Sequence, residues 1–187
     1  MADHPASLEA IERVARVLVD ARVPYAFIGG VALGAWAVPR QTFDLDLAIA
    51  SSTAGLPTLL LAFERAGFVV EASFRKGFAD RIAGMEKVHV HLPYGRALLA
   101  VDLFLATTPF LQSVLERRKT IDLGAGPLQV CSAADLVLLK LVADRPKDRL
   151  DIENVLAVQG VPEREYLERW AGELGVRARL DQRLSGG

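Results

Sequence analysis

Behind Ser7, apolar residues recur at Leu8, Ile11, Val14, Ala15 and Leu18. This is helical spacing opened by a capping hydroxyl, and it predicts an amphipathic helix that ends before Pro24. PYAFIGG (24–30) reads as a short buried strand stopped by two glycines, and VALGAWAV (31–38) as a short helix closed by Pro39. The period then changes to two: Phe43, Leu45, Leu47 and Ile49 fall on one side, and Arg40, Thr42, Asp44 and Asp46 on the other. TFDLDLAIA (42–50) is therefore a strand with one apolar and one polar edge. Pro57 through Ala66 reads as a helix stopped by Gly67, and FVVEA (68–72) as a short strand. MEKVHVHL (85–92) and ALLAVDLFLA (97–106), separated by PYGR, have the pattern of a hairpin. TPFLQSVLERRK (108–119) is helical, TIDLG and LQVCS are short extended pieces flanking AGP, and SAADLVLLKLVA (132–143) is a helix capped by Ser132. From Lys147 on, the pattern is helix with interruptions at Pro162 and Gly175. A mixed sheet with helices, followed by helices alone, predicts an α/β (α+β) protein. Residues 1–130 form its main domain and 131–187 a small helical C-terminal region, with a seam near DRPK (144–147).

Composition narrows the setting. With 187 residues, 51% of them hydrophobic and 24% charged, the chain is an ordinary globular sequence large enough for a real core. It holds no long uncharged run of the kind that spans a membrane, and its N-terminus lacks the basic start and apolar block of a secretory signal. The single cysteine, Cys131, excludes an intramolecular disulfide and fits a reducing cytosol, so a cytoplasmic protein is expected. Net charge is −1, with acids and bases balanced in both parts, and no broad basic footprint points to nucleic acid. The one concentrated basic run, Arg117, Arg118 and Lys119, reads as a solvated helix end.

The chemistry sits in DLDL. Two aspartates two residues apart on a strand have Cα atoms about 6.5 Å apart and side chains pointing the same way. Without a cation they repel, and one must take up a proton, so stability gives little reason to build the pair. Asp102 interrupts the apolar strand LLAVDLFLA, which can lie beside DLDL and supply a third carboxylate. Three convergent carboxylates suit Mg²⁺ with phosphate oxygens completing its shell, and a pair of such ions would activate an attacking oxygen and neutralise leaving pyrophosphate. Gly29 and Gly30, between a strand and a helix, would admit phosphate oxygens to backbone N–H groups. Arg40 and Thr42 lie on the acidic edge and offer a cation and a hydroxyl to a triphosphate.

The stretch GGVALGAWAVPRQTFDLDL resembles the signature of the nucleotidyltransferase superfamily that includes DNA polymerase beta: a Gly-Gly turn, a helix, and Asp-x-Asp on the next strand. The resemblance spans residues 20–155 and implies the nucleotidyltransferase fold, with Asp44, Asp46 and Asp102 as catalytic metal ligands for Mg²⁺. It also implies transfer of a nucleoside monophosphate from an NTP such as ATP to an acceptor hydroxyl. That hydroxyl could belong to an RNA 3′ end such as that of tRNA, to a protein, or to a small molecule such as an aminoglycoside. Arg40 and Thr42 just before the aspartates are similar to the minimal, AbiEii-like branch found in type IV toxin–antitoxin pairs, which implies a cognate toxin or antitoxin partner. That branch carries a lysine on a later helix and an R-x-K/R-D-x-x-D element. LLKLVADRPKDRLDI matches with Lys140, Asp148 and Asp151, so the resemblance gives Lys140 a nucleotide contact and Asp148 or Asp151 a catalytic supporting role.

Other residues read as structural. His89 and His91 alternate on a strand in a spacing that metal sites use, but neither a cysteine nor a further histidine joins them. Trp36, Phe43 and Phe104 are expected in the core. An alternative to the enzyme is a non-catalytic, antitoxin-like binding module of the same fold, which would have little reason to keep a mutually repelling set of acids.

Overall fold

Ser7 opens α1 (Leu8–Asp20) by accepting a hydrogen bond from the Ala10 N–H, and the helix buries Ala10, Ile11, Val14, Ala15, Val17 and Leu18. The computed structural model describes residues 7–75, 79–82, 84–95, 97–124 and 126–185, with the backbone alone for 80–82. Arg96 and Ala125, which the sequence pattern puts in turns, lie outside the described residues, as do residues 1–6 and the last two glycines. After α1 come β1 (Tyr25–Phe27), α2 (Gly29–Trp36), β2 (Asp44–Ile49), α3 (Leu56–Arg65), β3 (Val69–Val70), α4 (Ala72–Arg75), β4 (Asp80–Ile82), β5 (Met85–Tyr94) and β6 (Ala97–Leu105). The chain continues through α5 (Pro109–Glu116), β7 (Lys119–Asp122), β8 (Pro127–Val130), α6 (Ala133–Ala143), α7 (Pro146–Gln159), α8 (Arg164–Glu173) and α9 (Arg177–Leu184).

The strands form one eight-stranded mixed sheet in the order β3-β5-β6-β2-β1-β8-β7, with β4 also paired to β5. β2 runs parallel to β6 and antiparallel to β1, while β5 and β6 are the expected hairpin, joined so tightly that Tyr94 pairs with Ala97. Alternation decides which residues go inside. Leu45, Leu47, Val101, Leu103, Val88 and Val90 are fully buried, and Asp44, Asp46, Asp102, Phe104 and His89 are half-buried on the opposite parity. The buried residues form one core that continues from the sheet into α6, α7 and α8. α6, capped by Ser132, is apolar almost all round and packs against α2, α7 and α8.

Four details differ from the sequence pattern. The glycines do not merely stop β1; Gly29 is the first residue of α2. FVVEA forms a strand only at Val69–Val70, and a single helical turn follows it. Phe43 is 48% exposed, because β2 begins one residue after it. The basic run is not a solvated helix end: the Arg117 guanidinium stacks 3.8 Å from the Tyr166 ring centre and pairs with Asp135 and Glu163, while Lys119 already belongs to β7.

Candidate active site

The site begins with strand register. Asp46 and Asp102 are direct partners across the parallel β2–β6 pair, and Asp44 precedes Asp46 by two residues on the same face. All three carboxylates line a cavity of about 240 Å³, together with Gly29 from the start of α2, Lys87 and Phe104 from β5 and β6, and Lys140 and Arg145 from α6 and its C-terminal end. Two glycines make the close approach possible. Gly29 has φ +61°, and a Cβ there would collide with the Asp46 carboxyl. A Cβ on Gly30 would lie 2.6 Å from Thr42 Oγ1.

Each acid has a different surrounding. Thr42 Oγ1 donates to Asp44 Oδ1 at 2.9 Å, and Lys87 Nζ donates to Asp102 Oδ2 at 2.7 Å. Among the described residues no hydrogen bond reaches the Asp46 side chain. Burial pushes its carboxyl up to about 6; Asp44 and Asp102 push the same way, and Arg145 and Lys140 oppose them. The site is therefore short of positive charge at Asp46.

Behind the acids lies a ladder of ion pairs. Arg40 forks onto Asp151, with Nε to Oδ1 at 3.0 Å and the terminal nitrogen to Oδ2 at 2.9 Å. Lys140 Nζ donates to Asp151 Oδ2 at 2.5 Å and to Asp148 Oδ1 at 3.1 Å, and Arg145 Nε donates to Asp148 Oδ2 at 2.6 Å. Lys140, Asp148 and Asp151 are almost wholly buried. Burial alone would raise the two carboxyls, but the arginine and lysine contacts override it and hold both below the usual carboxylate range. Asp148 also accepts from the Arg145 backbone N–H, which fixes the first turn of α7.

Of the sequence-derived site residues, Gly29, Asp44, Asp46, Asp102 and Lys140 face the cavity. Arg40, Thr42, Gly30, Asp148 and Asp151 stand one layer behind, with Arg40 spending its fork on Asp151 and Thr42 its hydroxyl on Asp44. Sequence reasoning missed Lys87, Phe104 and Arg145. Lys87 could have been found from the hairpin, since it shares the parity of His89, which pairs with Asp102. Phe104 follows Asp102 by two residues on the same face, so it belongs to the cleft wall rather than to the sealed core. Arg145 is the first residue of the R-x-K/R-D-x-x-D element that also holds Asp148 and Asp151.

No protein-family model matches the sequence. A search of curated proteins likewise found no match. Solved structures do match along nearly the whole chain. An antigenic nucleotidyltransferase-like protein from Paracoccidioides brasiliensis superposes with a TM-score of 0.55 at 19% identity, covering 97% of this chain and 95% of that one. ANT(2")-Ia in complex with adenylyl-2"-tobramycin gives 0.60 at 15% identity over 92% of this chain and 98% of its own. The fold is that of the nucleotidyltransferases. The lincomycin-bound lincosamide antibiotic adenylyltransferase LnuA gives 0.57 at 11% identity, covering 83% of this chain and 100% of its own. Within this nucleotidyltransferase fold, no helix among the described residues is long and apolar enough to cross a membrane.

Proposed function

We propose that the protein is a metal-dependent nucleotidyltransferase that moves the nucleoside monophosphate of an NTP onto an acceptor hydroxyl and releases pyrophosphate. The observation that carries this reading is the register pairing of Asp46 with Asp102, with Asp44 beside them, all facing one cavity. The donor set fits Mg²⁺: three carboxylates supply only hard oxygen ligands, and Asp46 has no hydrogen-bond donor of its own among the described residues. Asp44, Asp46 and Asp102 would hold the metal, as one ion or two, and it would supply neutralisation of phosphate charge.

The chain's own residues do the rest. Arg145 stands at the cavity as a cation that would meet the phosphates, and Phe104 offers a flat apolar wall to a base. Lys140 touches the cavity while pinning Asp148 and Asp151, so it sets the position of Arg145 through Asp148, and Arg40 closes the ladder. Gly29 admits the nucleotide to the start of α2. The acceptor oxygen attacks the α-phosphorus, the bond to the bridging oxygen breaks, and pyrophosphate leaves. Lys87 holds Asp102 Oδ2 and so orients its carboxylate, which would take the acceptor's proton as the new bond forms.

A small-molecule acceptor is the reading we favour. A second cavity of about 270 Å³ shares Met85 and Val142 with the first and is walled by Phe110, Trp170 and Leu174, with Glu173 in its lining. Two of the similar structures carry antibiotics or their adenylylated products, and the one concentrated basic run of this chain is tied up through Arg117. The AbiEii-like placement, and with it a toxin–antitoxin partner, rests on Arg40, Thr42 and the Lys140–Asp151 element alone. The test is Mg²⁺ with NTPs labelled at the α-phosphate, offered aminoglycosides, lincosamides, RNA and protein. Label on a small molecule with equimolar pyrophosphate is expected. Label on RNA or protein would move the acceptor class, and folded protein that releases no pyrophosphate with any acceptor would leave the binding-module reading.

A further inference from the structure

On the same face of the sheet, beyond Asp102, His89 is the direct β5 partner of Asp102 and His91 follows it by two residues. Glu71, at the corner between β3 and α4, reaches across so that its Oε1 lies 3.0 Å from His89 Nε2. One ligand atom from each of Glu71, His89 and His91 lies within 4.8 Å of the others. The sequence pattern left the two histidines without a third partner because Glu71 comes from a corner that the pattern drew as strand.

We propose that Glu71, His89 and His91 form a binding site for a borderline divalent transition metal of the Zn²⁺ class, separate from the Asp44–Asp46–Asp102 site. Bonds of about 2.0 Å to a tetrahedral ion put neighbouring ligands about 3.3 Å apart. The His89–Glu71 separation of 3.0 Å is close to this, and with all three ligand atoms within 4.8 Å of one another His91 has at most about 1.5 Å to close. The chemistry of the set also fits: two imidazoles and one carboxylate are the donors that Zn²⁺ takes in open, three-ligand sites, whereas Mg²⁺ prefers oxygen alone. The rings are held in place. Phe74 packs edge-on against His89 at 4.7 Å, and His89 and His91 meet edge-on at 5.2 Å. Among the described residues His91 has no hydrogen-bond or ion-pair partner, so its ring nitrogens are available. Lys87, the neighbouring cation on that face, is neutralised by Asp102 and does not repel an incoming ion. The bound ion would clip the β3–α4 corner to the centre of β5, and it rests on residues that the transfer reaction does not use.

The full chain, stripped with EDTA and dialysed, is titrated calorimetrically with Zn²⁺ alone, and Co²⁺ alone is followed by its visible d–d absorption. A Zn²⁺ site of the same affinity should appear in the wild type and in Asp46→Asn, whatever the carboxylates take up besides. Affinity should fall about tenfold or more in His91→Ala, and likewise in Glu71→Gln, whose exposed side chain can be changed without threatening the fold. The Co²⁺ spectrum should fade in His91→Ala. Unchanged Zn²⁺ affinity in both variants overturns the site. Loss of Zn²⁺ in Asp46→Asn, with both histidines intact, also overturns it by assigning the ion to the carboxylates.

Discussion

Asp46→Asn isolates the electrostatic cost of the acidic cleft. The wild-type carboxyl titrates at about 6 in the folded protein against 3.8 in an ordinary environment. A folded value above the unfolded one means that the protonated form stabilises the fold. That contribution is fully present below the unfolded value and is lost as pH rises through the folded one. The gap of roughly two pH units corresponds to about 3 kcal/mol. Asparagine has nearly the same shape, carries no charge, and displaces no hydrogen bond seen at the Asp46 side chain among the described residues. In EDTA at pH 8 the variant should therefore be more stable than wild type by up to about 3 kcal/mol, and near pH 4 the two should converge. Urea unfolding at the two pH values measures this. Ligand that binds only the folded state adds stability, so Mg²⁺ plus NTP should shift the wild type and leave the variant nearly unmoved. A loss of stability at pH 8, a gain of equal size at both pH values, or an intact ligand shift in the variant would each refute the reasoning and make DLDL scaffold.

Three further changes separate roles within the cleft. Gly29→Ala places a Cβ against the Asp46 carboxyl at a left-handed φ of +61°, so it should cost about 1–3 kcal/mol in urea unfolding and depress transfer with it. Lys140→Met removes the cation shared by Asp148 and Asp151; each carboxylate keeps one arginine, so a loss of about 3 kcal/mol is expected, seen as a lower melting temperature. Asp102→Asn should lower kcat by about 100-fold or more while leaving NTP binding by the remaining groups detectable in equilibrium titration.

The layout of the sheet was legible where alternation was strict. Leu45, Leu47, Val101 and Leu103 are buried and the aspartates between them are not, and the period of two alone places Asp44, Asp46 and Asp102 on polar faces of their strands. Parallel pairing of β2 with β6 then brings Asp46 level with Asp102. Short elements were not legible. β3 has two residues and α4 four, too few for either period to register, so the pattern puts Glu71 in a strand and gives the His89–His91 pair no third partner. Phe43 shows the same limit at an element's end, where its parity was right but no strand begins until the next residue.

The charged helix residues show why a motif can be found and its role still depend on packing. Lys140 lies on α6 and Asp148 and Asp151 on α7, and nothing in their spacing says that the two helices fold back until the αL turn at Asp144 is seen. Once they do, four cations, Arg40, Lys87, Lys140 and Arg145, stand against five carboxylates, Asp44, Asp46, Asp102, Asp148 and Asp151, and the contacts distribute them unevenly. Asp148 and Asp151 each take two cations, Asp102 takes one, and Asp44 takes a hydroxyl. Among the described residues Asp46 takes none, although burial and two neighbouring acids push its carboxyl up. A fold selected for its own stability would have placed a cation there. The uncompensated charge is concentrated at the carboxylate that β2, β6 and the start of α2 all converge on, and under the proposed function it is the place where a divalent ion would gain most by arriving with its nucleotide.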